Sequence, residues 1–221
     1  MRRLFAVFLA IASPAFAESL DVASMSFDGL MLHASRYGST ELKRERKAAA
    51  RSELFARGPS ALEYLIGHAD SDNIWFGIYA QQMVETLPPE ESAPVLLGAL
   101  DSKNKDIRKM AIYFLGFNRT PQYADRVLPF LECEHEAGAA MRTLGKWGVH
   151  EAVPGIIPYL RDSDERRRIA AANALHDIGD PLALPALRSV RRDRYFTVRR
   201  AVARALKRLF ARREVLTDES K

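Results

Sequence analysis

The stretch "RRIAAANALHDIGDPLALPALRSV", residues 167–190, decides the fold class. Small and apolar residues recur three or four positions apart as far as His176, which predicts a helix with one buried face. Gly179, Asp180 and Pro181 then predict a turn, because Gly accepts a left-handed helix end, Asp caps a helix and Pro starts one without losing a hydrogen bond. The next apolar segment begins at once. This stretch therefore predicts two helices joined by a short turn.

Three further segments repeat the first half of this pattern. They are "IRKMAIYFLG" (107–116), "EAGAAMRTLG" (136–145) and "VRRAVARALK" (198–207). Intervals of 29, 31 and 31 residues separate the aligned leucines, which are Leu115, Leu144, Leu175 and Leu206. A shorter apolar segment precedes each helix, at 93–100, 126–131, 152–160 and 182–190. A period near 30 with two helices per unit predicts an α-solenoid, in which each hairpin buries its apolar face against its neighbours.

The same pairing extends upstream with less regularity. Residues 26–58 and 61–89 each fit a pair of helices. The sequence therefore predicts an all-α fold, an α-solenoid of about six helical hairpins without a convincing strand. A compact helical bundle of similar composition would not explain why Gly, Asp and Leu recur at fixed positions of each unit.

The two ends of the chain are set apart from the repeats. Residues 1–17 predict a cleavable signal peptide, with Arg2 and Arg3 before a short apolar core and a small-x-small cleavage site at residues 15–17. The apolar core is about half the roughly 20 residues that a membrane span needs. We therefore expect export to the periplasm or beyond the cell, with no membrane span after cleavage. The solenoid is expected at 18–213, followed by a flexible C-terminal tail at 214–221.

The segment "ALHDIGDPLALPALRSV" (174–190), followed by "VRRAVARALKRL" (198–209), resembles the HEAT-like repeat, an armadillo-type helical unit. This short variety also occurs in phycobilin lyases and deoxyhypusine hydroxylase. The resemblance covers residues 90–210 well and 26–89 loosely. The resemblance implies a HEAT-like, phycobilin lyase-type repeat protein, which the predicted signal peptide makes an exported, bacterial-type one. Such repeats serve mostly as interaction surfaces and rarely as enzymes.

A metal site of the hydroxylase kind would need more ligands than this chain offers. That resemblance would imply His-Glu pairs at the start of several second helices, and this chain offers only His135-Glu136. The equivalent positions elsewhere are Asp106-Ile107, Arg166-Arg167 and Thr197-Val198. One pair supplies two ligands, so we expect no metal and no other cofactor. The simpler expectation is an ion pair between Glu136 and Arg167, which occupy one position in adjacent repeats.

Nucleophilic or phosphate chemistry lacks its usual sequence motifs in this chain. The chain contains neither a G-x-S-x-G elbow nor a phosphate-binding glycine loop. Cys133 is the only cysteine and lies between Glu132 and Glu134, whose charges disfavour a reactive thiolate. We therefore expect a non-catalytic scaffold or adaptor. A HEAT-repeat enzyme of the deoxyhypusine hydroxylase or bilin lyase kind stays an alternative.

Positive charge is concentrated near the C-terminus. Residues 161–213 carry fifteen Lys and Arg against six Asp and Glu, whereas residues 18–160 carry fifteen against nineteen. The candidate partner-binding residues lie on the last predicted helix, opposite an apolar side formed by Val198, Val202, Ala205, Leu206 and Leu209: they are Arg199, Arg200, Arg204, Lys207 and Arg208.

Two interpretations of this basic segment stay open. It can be the polar cap that a terminal repeat needs for solubility, or a surface that binds an acidic protein or an anionic envelope component. Binding to an anionic membrane surface is a further alternative. Nucleic acid is not expected as a partner of an exported protein.

Overall fold

Helices form all the regular structure in the part of the chain that the structure describes, and no strand occurs there. The computed structural model describes residues 21–35, 41–68 and 72–218, without the side chains of residue 42 and residues 212–218. Short 3₁₀ segments join some of the α-helices. The α-helices are α1 Phe27–Ser35, α2 Glu41–Ala56, α3 Pro59–Gly67, α4 Trp75–Thr86, α5 Pro89–Ala99, α6 Lys105–Asn118, α7 Ala124–Val127, α8 Ala137–Trp147, α9 Val153–Ile156, α10 Glu165–Ile178, α11 Leu184–Ser189 and α12 Phe196–Asp218.

These helices pair into six hairpins, which confirms the predicted all-α solenoid class. The chain divides into two units, Met1–Leu87 and Pro88–Lys221. The first unit contains the hairpins α1–α2 and α3–α4. Its core includes Tyr79, which is 1% exposed and donates a hydrogen bond from its hydroxyl to the carbonyl of Ala34 at 2.7 Å.

The second unit contains the four regular hairpins, α5–α6, α7–α8, α9–α10 and α11–α12. The second helix of each hairpin packs on the second helix of the next, from α6 through α8 and α10 to α12. The predicted key leucines of the first three lie fully in the core: Leu115, Leu144 and Leu175 are each 0% exposed. The repeat period therefore places one buried leucine at each junction between hairpins.

Prolines shorten the first helices of the middle hairpins. Helix α7 is followed by a 3₁₀ segment, Leu128–Leu131, and α9 by another, Ile157–Arg161. Pro129 and Pro158 stand at the start of these segments. Because proline lacks an amide donor and restricts the residue before it, the α-helical hydrogen-bond pattern cannot continue there.

The turn predicted from Gly179-Asp180-Pro181 is confirmed residue by residue. Gly179 has a left-handed φ of 73° at the end of α10. The carboxylate of Asp180 accepts a hydrogen bond from the amide of Leu182 at 2.8 Å, and Pro181 opens the next 3₁₀ segment. Side chains also cap the second helices, since Asn104 accepts from the amide of Asp106 and Asp164 from the amide of Arg166.

Two glycines let consecutive second helices approach closely. A Cβ atom on Gly145 of α8 would lie 2.9 Å from the Cα atom of Ala174 in α10. A Cβ atom on Gly116 of α6 would lie 2.8 Å from the hydroxyl oxygen of Thr143 in α8. The hydroxyl of Thr143 in turn donates to the carbonyl of Ile112 at 2.7 Å. At Gly145 a larger residue would therefore push against the backbone of the next second helix, and at Gly116 it would displace the Thr143 hydroxyl.

The described residues leave out parts of both ends of the chain. The predicted signal peptide, residues 1–17, lies outside the described residues. Helix α12 runs to Asp218, five residues into the segment 214–221 that the sequence suggests as a tail. No helix in the described part of the chain combines the length and the apolar composition that crossing a membrane requires.

Candidate partner-binding surface

Helix α12 has the two-sided character that the sequence predicts. On its apolar side Val198, Val202, Ala205 and Leu209 are each 0% exposed. Leu206 is only half-buried, unlike the leucines at the same position of the earlier repeats. The packing of α12 on α10 and α11 therefore leaves its basic side chains on the remaining surface.

The structure separates the five candidate basic residues into three environments. Arg204 and Arg208 are exposed and reach back to α10, where Arg204 donates to the side-chain oxygen of Asn173 at 2.6 Å and Arg208 to the carbonyl of Asp177 at 3.4 Å. Arg199 is half-buried and donates hydrogen bonds to backbone carbonyls of the turn before α12. The other two, Arg200 and Lys207, are exposed and make no hydrogen bond to a described residue.

The arginine bonds to the turns recur in three repeats. Arg199 Nη1 donates to the carbonyls of Asp193 and Arg194, at 2.8 and 3.0 Å. Arg108 and Arg168 make the same pair of bonds to the carbonyls six and five residues before them, at 2.8 and 3.1 Å and at 2.7 and 3.1 Å. Each guanidinium thus satisfies carbonyls of the turn that begins its second helix.

Arg204 and Arg208 belong to a row of side chains that crosses the second unit. The row combines two equivalent positions of the four second helices, and we name it the second-helix ladder: Tyr113, Phe117, Arg142, Lys146, Asn173, Asp177, Arg204 and Arg208. In α8, Lys146 Nζ lies 4.0 Å from the ring centre of Phe117, and Arg142 lies 5.4 Å from that of Tyr113. Cations of one repeat therefore pack on aromatic rings of the preceding one.

The second-helix ladder has a positive electrostatic character. Burial lowers the pKa of Lys146, the nearby charge of Arg142 lowers this pKa further, and Asp177 opposes the shift. Four cationic side chains accompany a single carboxylate in the ladder. An anionic group bound between Arg142 and Lys146 would relieve their mutual repulsion.

Sequence reasoning did not find this ladder beyond α12. Positive charge is densest in the last helix, and this density directs the prediction to that helix alone. The spacing of the repeats already places Tyr113, Arg142 and Arg204 at one equivalent position. Aromatic residues in α6 and cations in α8 do not look alike, and only the stacked helices show that they form one surface.

The expected ion pair between Glu136 and Arg167 is wrong. Glu136 is 2% exposed and accepts from Arg108 of the preceding repeat, with Nε and Oε1 2.8 Å apart. Arg167 instead donates to the carbonyl and the carboxylate of Glu134 at 2.9 and 3.1 Å. Glu136 lies just before α8, and its carboxylate points back towards α6 rather than forward to α10.

The His-Glu pair has structural partners. His135 Nε2 lies 2.8 Å from a carboxylate oxygen of Asp106, and Glu136 pairs with Arg108. Among the described residues, no group of three His, Cys, Asp or Glu side chains could hold a metal ion. Cys133 is half-buried, with its sulfur 4.0 Å from the carbonyl of Pro129.

Comparison with known proteins agrees with this geometry. Residues 132–207 match the family model of HEAT repeats. The matched segment includes α8, α9, α10 and α11 and continues into α12. No curated protein matches the chain.

Solved structures share the fold at low sequence identity. An engineered protein is 18% identical, with a TM-score of 0.55 over 87% of this chain and 97% of its own. A designed armadillo repeat protein in complex with the peptide (KR)4 is 13% identical, with a TM-score of 0.52 over 84% of this chain and 100% of its own. The complex of CpcE and CpcF of phycocyanin lyase from Nostoc sp. PCC7120 is 18% identical, with a TM-score of 0.49 over 80% and 74%. The likenesses to the engineered protein and to the designed armadillo repeat protein, with TM-scores above 0.5, show the fold alone.

Proposed function

We propose that this protein is a non-catalytic adaptor that binds an acidic segment of a protein partner along the second-helix ladder. The single observation that carries the proposal is the packing of Arg142 and Lys146 on the rings of Tyr113 and Phe117. The rings orient the cations at the surface, where both side chains remain exposed. A carboxylate-rich segment that lies across the ladder would meet a cation in α8 and again in α12.

The comparison with designed repeat proteins supports peptide binding in outline. The designed armadillo repeat protein is in complex with (KR)4, a basic peptide. A basic peptide needs a negatively charged surface. The second-helix ladder is positively charged instead, because its four cations outnumber its one carboxylate: Arg142, Lys146, Arg204 and Arg208 against Asp177. Charge complementarity therefore favours an acidic partner in this chain.

The partner's compartment follows from the N-terminal sequence pattern. The positive residues, the short apolar core and the small-x-small site of residues 1–17 support export to the periplasm or the cell exterior. The partner would then be an envelope protein or another anionic envelope component. A fusion of residues 1–17 to a reporter that is active only outside the cytoplasm tests this part, and a reporter that stays inactive would contradict it.

The binding proposal is tested with charge reversals on the ladder. The purified chain and the variant Arg142→Glu/Lys146→Glu are crosslinked with the envelope fraction, and the captured protein is then purified for binding measurements. We expect the variant to bind about tenfold more weakly, since close charge pairs across interfaces contribute roughly 1.5 kcal/mol or more. Binding of the unaltered chain should also weaken as salt rises, because exposed charges are screened over about 10 Å.

The matched control reverses two charges away from the ladder. Arg191 and Arg192 are exposed in the turn between α11 and α12, so Arg191→Glu/Arg192→Glu changes the net charge equally. Equal losses in both double variants would show that net charge alone attracts the partner and would overturn the proposal. Flotation with anionic vesicles but no captured protein would favour the membrane-surface alternative, and iron bound at a near-stoichiometric level would favour the enzyme.

A further inference from the structure

Three second helices of the second unit, α6, α8 and α10, each have one side that the following repeat covers. In α6 the carbonyl of Ile112 accepts from Thr143 of α8, and Gly116 meets the same threonine. In α8, Gly145 meets Ala174 of α10. We name this side of a second helix its forward side. The residues at the position of Ile112 in the next two repeats, Met141 and Ala172, are likewise 0% exposed, as Ile112 is.

A carboxylate from the following repeat reaches the forward side of two of these helices. Glu136 pairs with Arg108 of α6, as described above. In α10, Arg168 Nε lies 2.9 Å from a carboxylate oxygen of Asp193, which precedes α12. The second pair is largely buried, with the side chain of Arg168 6% exposed and that of Asp193 12% exposed, and in the first pair Glu136 is buried while Arg108 is 24% exposed. The forward junction therefore combines small or apolar residues with an arginine that receives a carboxylate.

Helix α12 presents the same positions without a cover among the described residues. Ala203 stands at the position of Ile112 and is exposed. Arg199 stands at the position of Arg108 and bonds its own turn through Nη1, but no described carboxylate pairs with it. Lys207 stands at the position of Gly116 and is exposed. Phe210, 36% exposed, continues this side of the helix.

We propose that the forward side of α12 is a docking surface for an acidic amphipathic helix of a partner protein. This inference rests on the proposed function, since it names one segment that the adaptor holds. Arg199 and Lys207 are eight residues apart, which is about 12 Å along a helix. The docked helix then carries two carboxylates about two turns apart, with apolar side chains between them against Ala203.

Charge argues against a second copy of the chain as the occupant. The described side chains of α12, from Phe196 to Ala211, include no carboxylate. Two copies joined through this side would place Arg199 and Lys207 of one against the same cations of the other, which repel each other. The bulk of Lys207 also prevents the close backbone approach that Gly116 permits in α6.

The test uses a synthetic helical peptide as a defined probe. The peptide has an Ala and Leu stripe bordered by two Glu about seven residues apart, and its control has Gln at both positions. We measure fluorescence anisotropy with the full chain, with Lys207→Glu and with Ala203→Arg. Because Arg199 also holds its turn, these two exposed positions test the surface without removing a fold contact.

We expect the unaltered chain to bind the Glu peptide saturably and the Gln peptide about tenfold more weakly. The variant Lys207→Glu should bind the Glu peptide about tenfold more weakly than the unaltered chain does, and Ala203→Arg should bind it much more weakly still. The control Arg191→Glu should bind the Glu peptide as the unaltered chain does. The absence of binding up to about 1 mM would leave the segment as a solubility cap and overturn the inference. Equal binding of both peptides, or a dimer of the chain that Ala203→Arg dissociates, would also overturn it. The ladder is unaltered in these variants, so failure here is separate from failure of the proposed function.

Discussion

Replacing Gly145 by Ala should destabilise the second unit, although Ala favours helices over Gly. The new Cβ atom would lie 2.9 Å from the Cα atom and 3.1 Å from the Cβ atom of Ala174. Carbon atoms prefer separations of about 3.5 Å or more, and a backbone atom cannot rotate away as a side chain can. Helices α8 and α10 must therefore separate by roughly half an ångström.

The size of the effect follows from two opposing contributions. Overpacking a well-packed contact costs about 1–3 kcal/mol. The helical preference of Ala over Gly returns roughly 0.5–1 kcal/mol. We therefore expect Gly145→Ala to lower the free energy of unfolding by about 1 kcal/mol.

A second glycine in the same helix provides the control. A Cβ atom on Gly138 would meet nothing within 4 Å, so Gly138→Ala should leave the stability unchanged or raise it by up to about 1 kcal/mol. Urea unfolding can be followed by the fluorescence of Trp147 in a Trp75→Phe background, since the chain has two tryptophans. Equal stability of the two glycine variants would refute the close-approach explanation.

Three further predictions concern the buried leucines, one ion pair and the helix content of the protein. Leu144→Asp or Leu175→Asp should unfold the second unit, because each leucine is 0% exposed and an unpaired buried charge costs several kcal/mol; an unchanged melting temperature would contradict this. Burial alone would raise the pKa of Asp193, but the Tyr195 amide and the Arg168 guanidinium lower it overall from its ordinary 3.8. The stability that this carboxylate contributes is therefore complete above pH 3.8 and lost as pH falls through the lower folded pKa, so unfolding free energies of the wild type and Asp193→Asn should converge in acid. Circular dichroism should show helix that neither chelator nor reductant removes.

The sequence carried most of the information about the fold, because the repeat is visible as a period. Leu115, Leu144 and Leu175 recur at a spacing that only stacked hairpins explain, and all three are buried. The turn at Gly179 was also predictable, because its residue types have strict backbone preferences. The structure bears out both of these predictions.

The surface was less predictable because it depends on which atoms of a long side chain are already engaged. Arg199 looks like a surface cation on a helical projection, but one nitrogen bonds two carbonyls of its turn. Glu136 and Arg167 share a repeat position, and yet each pairs with a residue of the preceding repeat, Arg108 and Glu134, instead of with the other. Alignment of positions fixes where a helix places a Cβ atom. The direction taken by a guanidinium or a carboxylate depends on the turn beside it.

The arginines that donate hydrogen bonds to their own turns make some parts of the chain less tolerant of inserted residues than others. Arg108, Arg168 and Arg199 each reach carbonyls five and six residues earlier, so an added residue inside such a turn would carry one carbonyl out of reach. The connections between hairpins, such as Gly148–Val149, lack this bridge. We expect an inserted tag or a grafted domain to be accepted at these connections and rejected within the bridged turns. Added length is therefore tolerated between hairpins and not within them.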